Sequence, residues 1–164
     1  MTSFRPTLQV ICGRIAAGKS TLAAKLSEPD DIICISEDAW LSTLYGPQMQ
    51  TVQDYVKFSA KLRGIMTPHI SQLLQAGLSV VLDYPANTID NRRWMRDCAT
   101  QAKAEVLLHL LDVDEATCWQ RLQDRNARGE HPFKPSRAQF TQICQHYTPP
   151  QAEEGFAIHI HKPE

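Results

Sequence analysis

Charge of one sign is what this sequence most lacks: 17 Lys and Arg stand against 18 Asp and Glu, a formal net charge of −1. That gives no general electrostatic reason to expect a nucleic-acid or membrane partner, although a local basic patch stays open. No apolar run nears the length of a membrane span, and residues 1–6 hold no apolar leader region. Internal repeats, low-complexity tracts and an obvious linker are also missing. The five cysteines, Cys12, Cys34, Cys98, Cys118 and Cys144, form an odd set without a C-x-x-C pair. Reduced thiols fit that pattern better than a disulfide framework. Cys12 and Cys34 stand in apolar strand-like runs, where cysteine usually serves as a small buried hydrophobe. A soluble, cytoplasmic protein without membrane contact is expected.

What is present is ordinary globular material, 43% hydrophobic and 21% charged. A chain of 164 residues suffices for one compact domain, taken as 1–164. Short β-rich runs alternate with longer amphipathic stretches. Residues 8–12 (LQVIC), 32–35 (IICI), 78–82 (LSVVL) and 106–111 (VLLHLL) read as buried strands, and 156–161 as a short closing one. Helical spacing marks 19–26, stopped by Pro29-Asp30-Asp31, and 54–75, bent or divided at Pro68 and stopped by Gly77. It returns over 89–102, with Thr88 as N-cap, and over 114–125. Ser36-Glu37-Asp38 reads as a polar turn, and Tyr45-Gly46-Pro47 as the end of a short helix. Apolar strands separated by helices indicate a parallel sheet covered on both faces, an α/β architecture.

One motif is complete. Gly13-Arg14-Ile15-Ala16-Ala17-Gly18-Lys19-Ser20-Thr21 matches G-x-x-x-x-G-K-[ST], between a predicted strand and a predicted helix. Glycine is needed where side chains would collide or φ must be positive, so that backbone N–H groups can wrap a phosphate. The free N–H groups and positive dipole end of the following helix then face the anion. Lys19 reaches the β- and γ-phosphates, and the Ser20 hydroxyl ligates Mg²⁺. ATP is the expected nucleotide, ahead of GTP.

GRIAAGKST at Gly13, ISEDAWL at Ile35, VVLDYPANT at Val80 and RLQDRNARGEHPF at Arg121 occur together in one known group. In these segments the chain resembles the small P-loop kinases related to zeta toxins, polynucleotide 5′-hydroxyl kinases and gluconate kinases. It most resembles bacterial ATP-binding proteins within that group. The resemblance implies a P-loop NTPase three-layer sandwich, a five-stranded parallel sheet in the order 2-3-1-4-5, and a small lid at about 126–136.

The same resemblance assigns roles. Asp38, just past the second strand, matches the general base that orients the attacking hydroxyl, and a carboxylate suits that task. A first-turn or N-cap aspartate is the other reading. Asp83 ends an apolar strand as a Walker-B-like acid would, behind Mg²⁺ on Ser20. Asn87-Thr88 resembles the D-x-T-N element of polynucleotide kinases with Tyr84-Pro85-Ala86 inserted; Asn87 is equally a turn residue before the Thr88 cap. Arg121 and Arg125 are similar to the R-x-x-x-R pair of gluconate kinases, and His131 and Phe133 to a neighbouring segment. Arg125 is taken as the residue that closes over the transferring phosphoryl group, with Arg121 and Arg128 behind it. A solvated stripe paired with Asp124 and Glu130 is the alternative.

Arg92, Arg93 and Arg96 read as helix-surface residues, or as a greeting for an anionic substrate. Trp40, Trp94 and Trp119 read as packing. His159 and His161 share one side of the last strand, too few ligands for a metal site. The functional expectation is an ATP-dependent phosphotransferase acting on a hydroxyl of a small molecule, with residues 40–70 forming most of the acceptor pocket. The alternatives are a polynucleotide 5′-hydroxyl kinase, which the near-neutral charge argues against, and a nucleotide-dependent regulator whose output is binding. The chain is short for an oligomeric motor with an additional helical domain.

Overall fold

The computed structural model describes residues 5–129 and 134–163. Five strands form one parallel sheet: β1 (Thr7–Cys12), β2 (Ile32–Ser36), β3 (Ser79–Asp83), β4 (Glu105–Leu111) and β5 (Ala157–His161). Their order is β2-β3-β1-β4-β5, the order that the resemblance implies. Leu8, Val10 and Cys12 pair in register with β4 residues Val106, Leu108 and Leu110. Parallel neighbours cannot be joined by tight turns, so each connection crosses a face of the sheet as a helix.

The alternation along each strand divides the core in two. Leu8, Val10, Val80, Leu82 and Leu108 meet α2 (Glu37–Tyr45), α3 (Val52–Gln75) and α4 (Ile89–Gln101) through Leu41, Phe58, Leu62, Met66 and Met95. Ile11, Val81 and Leu111 face the other way, against α1 (Lys19–Leu26), α5 (Glu115–Arg128) and α6 (Arg137–Gln145), through Ala23, Cys118, Leu122 and Phe140. The result is three layers, with the carboxyl ends of β1, β2 and β3 leading directly into the motif-bearing segments.

Several sequence expectations need correction. Ser36 closes β2 and caps α2, accepting from Ala39 N at 3.3 Å, so Glu37 and Asp38 are already helical rather than a turn. That removes the N-cap reading of Asp38 and leaves the first-turn one. Pro68 does not divide α3, which runs as one 24-residue helix. The proline leaves the Gly64 carbonyl without its usual donor, while the Thr67 hydroxyl donates to Arg63 O at 2.8 Å. The α5 helix starts one residue later than expected, with Asp114 as its cap, and runs on to Arg128. It therefore takes in the first part of the expected lid. Helix α6 is an element that the sequence expectations lack. Its capping box, Ser136 with Gln139, is a legible signal. Cys34 is exposed, because β2 is an edge strand; Cys12 is fully buried. Glu130, His131, Pro132 and Phe133 lie outside the described residues.

Candidate functional site

The loop between β1 and α1 is built by backbone geometry. Ala16 has φ 65° and Gly18 φ 105°, left-handed conformations that turn successive N–H groups toward one point. Gly18 is also the N-cap of α1, where no side chain caps the helix. The first N–H groups of the helix stay available to an anion. Gly13 is required for closeness: a Cβ there would come within 3.0 Å of Leu111 Cβ and 3.2 Å of Ala17 Cβ.

The loop is braced from several sides. Gly13 N donates to Asn87 Oδ1 at 3.0 Å, and the Asn87 carbonyl accepts from Thr148 N at 2.9 Å. Asn87 is therefore a strut on the phosphate loop rather than only a turn residue ahead of the Thr88 cap. The Arg14 guanidinium donates to Val113 O at 3.0 Å and lies 4.6 Å over the Tyr147 ring. Arg121 donates to Ala17 O at 3.3 Å, tying α5 to the loop.

Lys19 lies across the loop mouth, its ammonium donating to Gly13 O at 3.2 Å. Burial pulls its pKa down, and the charges of Asp83 and Asp38 push the other way. Burial raises Asp83, the Ser20 hydroxyl beside it lowers it by hydrogen bonding, and Asp38 raises it further. Lys19, Ser20, Asp38 and Asp83 thus converge at the carboxyl edge of the sheet, where open α/β folds build ligand sites. Ser20 and Asp83 supply adjacent oxygen donors, a set that fits a hard divalent cation. Among the described residues no group of three or more His, Cys, Asp or Glu side chains is arranged to hold a metal alone. A cation here would complete its shell with water and with oxygens of a bound phosphate, as magnesium commonly does.

Next to Asp38 in the chain, Glu37 has a structural role. It is only 3% exposed. Its carboxylate accepts from the Tyr55 hydroxyl and, at 3.2 Å, from the Ser59 hydroxyl. Both donors are on α3, so this acid locks the first turn of α2 to α3. Burial raises its pKa against the pull of those two hydrogen bonds. The signal was there: an acid at i and an apolar Leu41 at i+4 share a helix face. Tyr84, 1% exposed, has its hydroxyl buried nearby without a hydrogen-bond partner.

The arginines divide. Arg125 is half-buried on α5, whereas Arg121 and Arg128 are exposed. Asp124 on the same helix accepts from Gln120 at 3.1 Å. Arg92 is no surface residue: it is fully buried and holds Glu154 at 2.7 Å, Thr148 O at 2.8 Å and Ala86 O at 3.0 Å. Arg96 donates to Glu154 O and covers the Phe156 ring at 4.0 Å. Only Arg93 of the three stays at the surface, paired with Asp90 at 3.3 Å. Trp94 and Trp119 pack against the two cores, while Trp40 is 40% exposed.

Beside the loop opens a cleft of about 380 Å³, lined by Ala17, Gly18 and Thr21 of the loop and by Arg121, His161 and Pro163 among others. No helix of the described residues is long and apolar enough to cross a membrane.

A family described as an AAA domain matches residues 8–150. No curated protein sequence matches the chain significantly. Among solved structures, a candidate kinase from Chloroflexus aurantiacus j-10-fl shares the fold at TM-score 0.74 and 18% identity, over 96% of this chain and 85% of its own. A gluconokinase from Sinorhizobium meliloti 1021 gives TM-score 0.61 and 16% identity, over 96% and 83%. The Mycobacterium tuberculosis APS kinase CysC, solved with AMPPNP and APS, gives 0.64 and 16%, over 99% and 91%. At such identities the likeness is one of fold.

Proposed function

Since the chain belongs to this AAA-domain family, we propose that it is an ATP-dependent phosphotransferase that moves the γ-phosphoryl group to a hydroxyl of a small molecule. One observation carries the reading. Asp38 is an exposed carboxylate in the first turn of α2, directly after β2 at the sheet edge that also carries the loop and Asp83, and its charge acts on both Lys19 and Asp83. A regulator that only binds nucleotide has no need of that acid. The kinase-like fold, and a neighbour with that fold solved as an APS kinase with AMPPNP and APS, support the same assignment.

The loop amides of residues 13–21 hold the phosphates, and Lys19 spans the β- and γ-groups. Arg121 and Pro163 flank the cleft in which the nucleoside sits. Mg²⁺, held by Ser20 with Asp83 behind it, would offset charge on the β- and γ-oxygens. Asp38 orients the acceptor hydroxyl. The acceptor's hydroxyl oxygen forms a bond to the γ-phosphorus, the bond from that phosphorus to the β–γ bridging oxygen breaks, and ADP leaves with the electron pair. The hydroxyl proton passes to Asp38 and then to water. Arg125 closes over the transferring group, where its planar donors match the spread of negative charge. Glu37 holds the first turn of α2 in place through Tyr55 and Ser59.

The test is Asp38→Asn. ATP affinity should stay near wild type, and transfer to any hydroxyl acceptor should fall by about 10²–10⁴, the usual range for a lost general base. Full activity in that variant would remove Asp38 from the chemistry.

A further inference from the structure

A chain of three polar side chains crosses the sheet face that carries α1 and α5, and the reaction outlined above leaves it unused. His109, 4% exposed on β4, places Nε2 at 2.8 Å from Gln9 Oε1 and Nδ1 at 2.9 Å from His161 Nε2. The Gln9 carbonyl oxygen can only accept, so His109 carries its proton on Nε2. Its Nδ1 must then accept, and His161 must donate from Nε2. In neutral His161 this leaves Nδ1 with a lone pair. That atom can take a proton without breaking the chain. Protonating His109 Nδ1 instead would set two N–H groups against each other.

His161 is the last residue of β5 and lines the same cleft as Ala17, Gly18 and Thr21. Its carbonyl accepts from Asp112 N at 2.8 Å, and the next residue, Val113, receives the Arg14 guanidinium of the phosphate loop. The charged groups that line the cleft with it are all cationic or titratable toward cations. Lys25 comes from α1, Arg121 from α5, and Lys162 follows β5; no carboxylate is among the described lining residues. The His159 ring lies 4.5 Å away on the same strand, and His109 stands behind. The carboxylate of Asp112 belongs to an exposed residue. Burial, His159 and Lys25 lower the His161 pKa, and burial with the two neighbouring imidazoles brings His109 down to about 4. In the free protein at neutral pH the chain is therefore uncharged, in a cleft of fixed positive charge.

We propose that His161 is a further residue of the nucleotide site, held by Gln9 and His109, and that it takes up a proton when a nucleoside di- or triphosphate occupies the phosphate loop. The inference rests on the nucleotide reading given above. The physical cause is mutual. Polyphosphate oxygens beside the cleft supply the negative charge it lacks, so the imidazolium becomes favourable, and the imidazolium in turn strengthens binding. By linkage, uptake of protons on binding means that affinity rises as pH falls toward the pKa of free His161.

Calorimetry of ATP binding at about pH 6.5, near the ordinary value for histidine, in two buffers of different ionisation enthalpy, counts the protons taken up. Wild type should take up more than His161→Gln, whose amide can still donate to His109; the comparison cancels protonation of ATP itself. His159→Gln should keep the wild-type excess. A second readout needs no variant: the His161 ring proton resonance should titrate at higher pH with ATP bound than without. Equal proton counts in wild type and His161→Gln, or a His161 titration that ATP leaves unmoved, would overturn the inference while nucleotide binding stands. No ATP binding by wild type would overturn the nucleotide reading, and this inference with it.

Discussion

Replacing Arg92 with methionine keeps the apolar stem and removes the charge, at a position with no solvent exposure. Glu154 then loses contacts at 2.7 and 3.1 Å from the guanidinium, and the carbonyls of Ala86 and Thr148 lose donors at 3.0 and 2.8 Å. The Glu154 side chain is itself only 13% exposed, so the acid is left largely desolvated. Breaking a buried pair by deleting one partner costs about 3–5 kcal/mol. At about 2–4 °C per kcal/mol for a chain of this size, the melting temperature should drop by about 6–20 °C. Urea denaturation of wild type, Arg92→Met, Glu154→Gln and the double variant gives the pair's coupling directly.

The acid side of the same experiment has a definite sign. Burial pushes Glu154 up, but hydrogen bonds from Arg92 and from Gln151 N bring it below its ordinary 4.5. A depressed carboxyl contributes stability above its unfolded value and loses it as pH falls through the folded one. The gap between wild type and Arg92→Met should narrow below about pH 4.5. A loss under about 1 kcal/mol at neutral pH, the ordinary surface range, would refute the buried-pair argument. Because Thr148 also holds Asn87, the brace of Gly13, weakened ATP binding should accompany the lost stability.

Two further outcomes concern the site. Lys19→Ala should lower ATP affinity by about tenfold or more, the equivalent of a charge-assisted hydrogen bond of about 1.5–3 kcal/mol; calorimetry showing unchanged affinity would remove Lys19 from the phosphates. Arg125→Ala should lower kcat by more than it raises KM for ATP, as expected of a contact made in the transition state; wild-type turnover would return Arg125 to a structural role on α5.

What could be read from sequence was what neighbouring residues decide. The strand runs, the phosphate loop and the Thr88 cap depend on residues a few positions apart, and each stands where it was expected, give or take a residue. Arg92 could not be read, because its partners are Thr148 and Glu154, far along the chain, and an arginine in an amphipathic helix usually faces water. Cys34 is exposed against expectation because apolar spacing does not distinguish an edge strand from a central one. His159 and His161 were seen to share a face. Only the β1–β4–β5 register brings Gln9 and His109 to them, and that register is a tertiary fact. Glu37 looked like turn polarity until Ser36 proved to be the cap, which put this acid on the inward face of α2.

A phosphotransferase must move phosphorus from ATP to an oxygen of another molecule. Incubate the protein and Mg²⁺ with ATP bearing ¹⁸O on its γ-phosphate and a library of small alcohols, sugars and nucleosides, then examine products by mass spectrometry. Wild type should yield a labelled phosphomonoester retaining three γ-oxygens, and Lys19→Ala should yield none. ATP bound tightly by wild type, with label found only in unreacted nucleotide or inorganic phosphate across the library, would contradict the phosphotransferase and leave a nucleotide-binding regulator in its place.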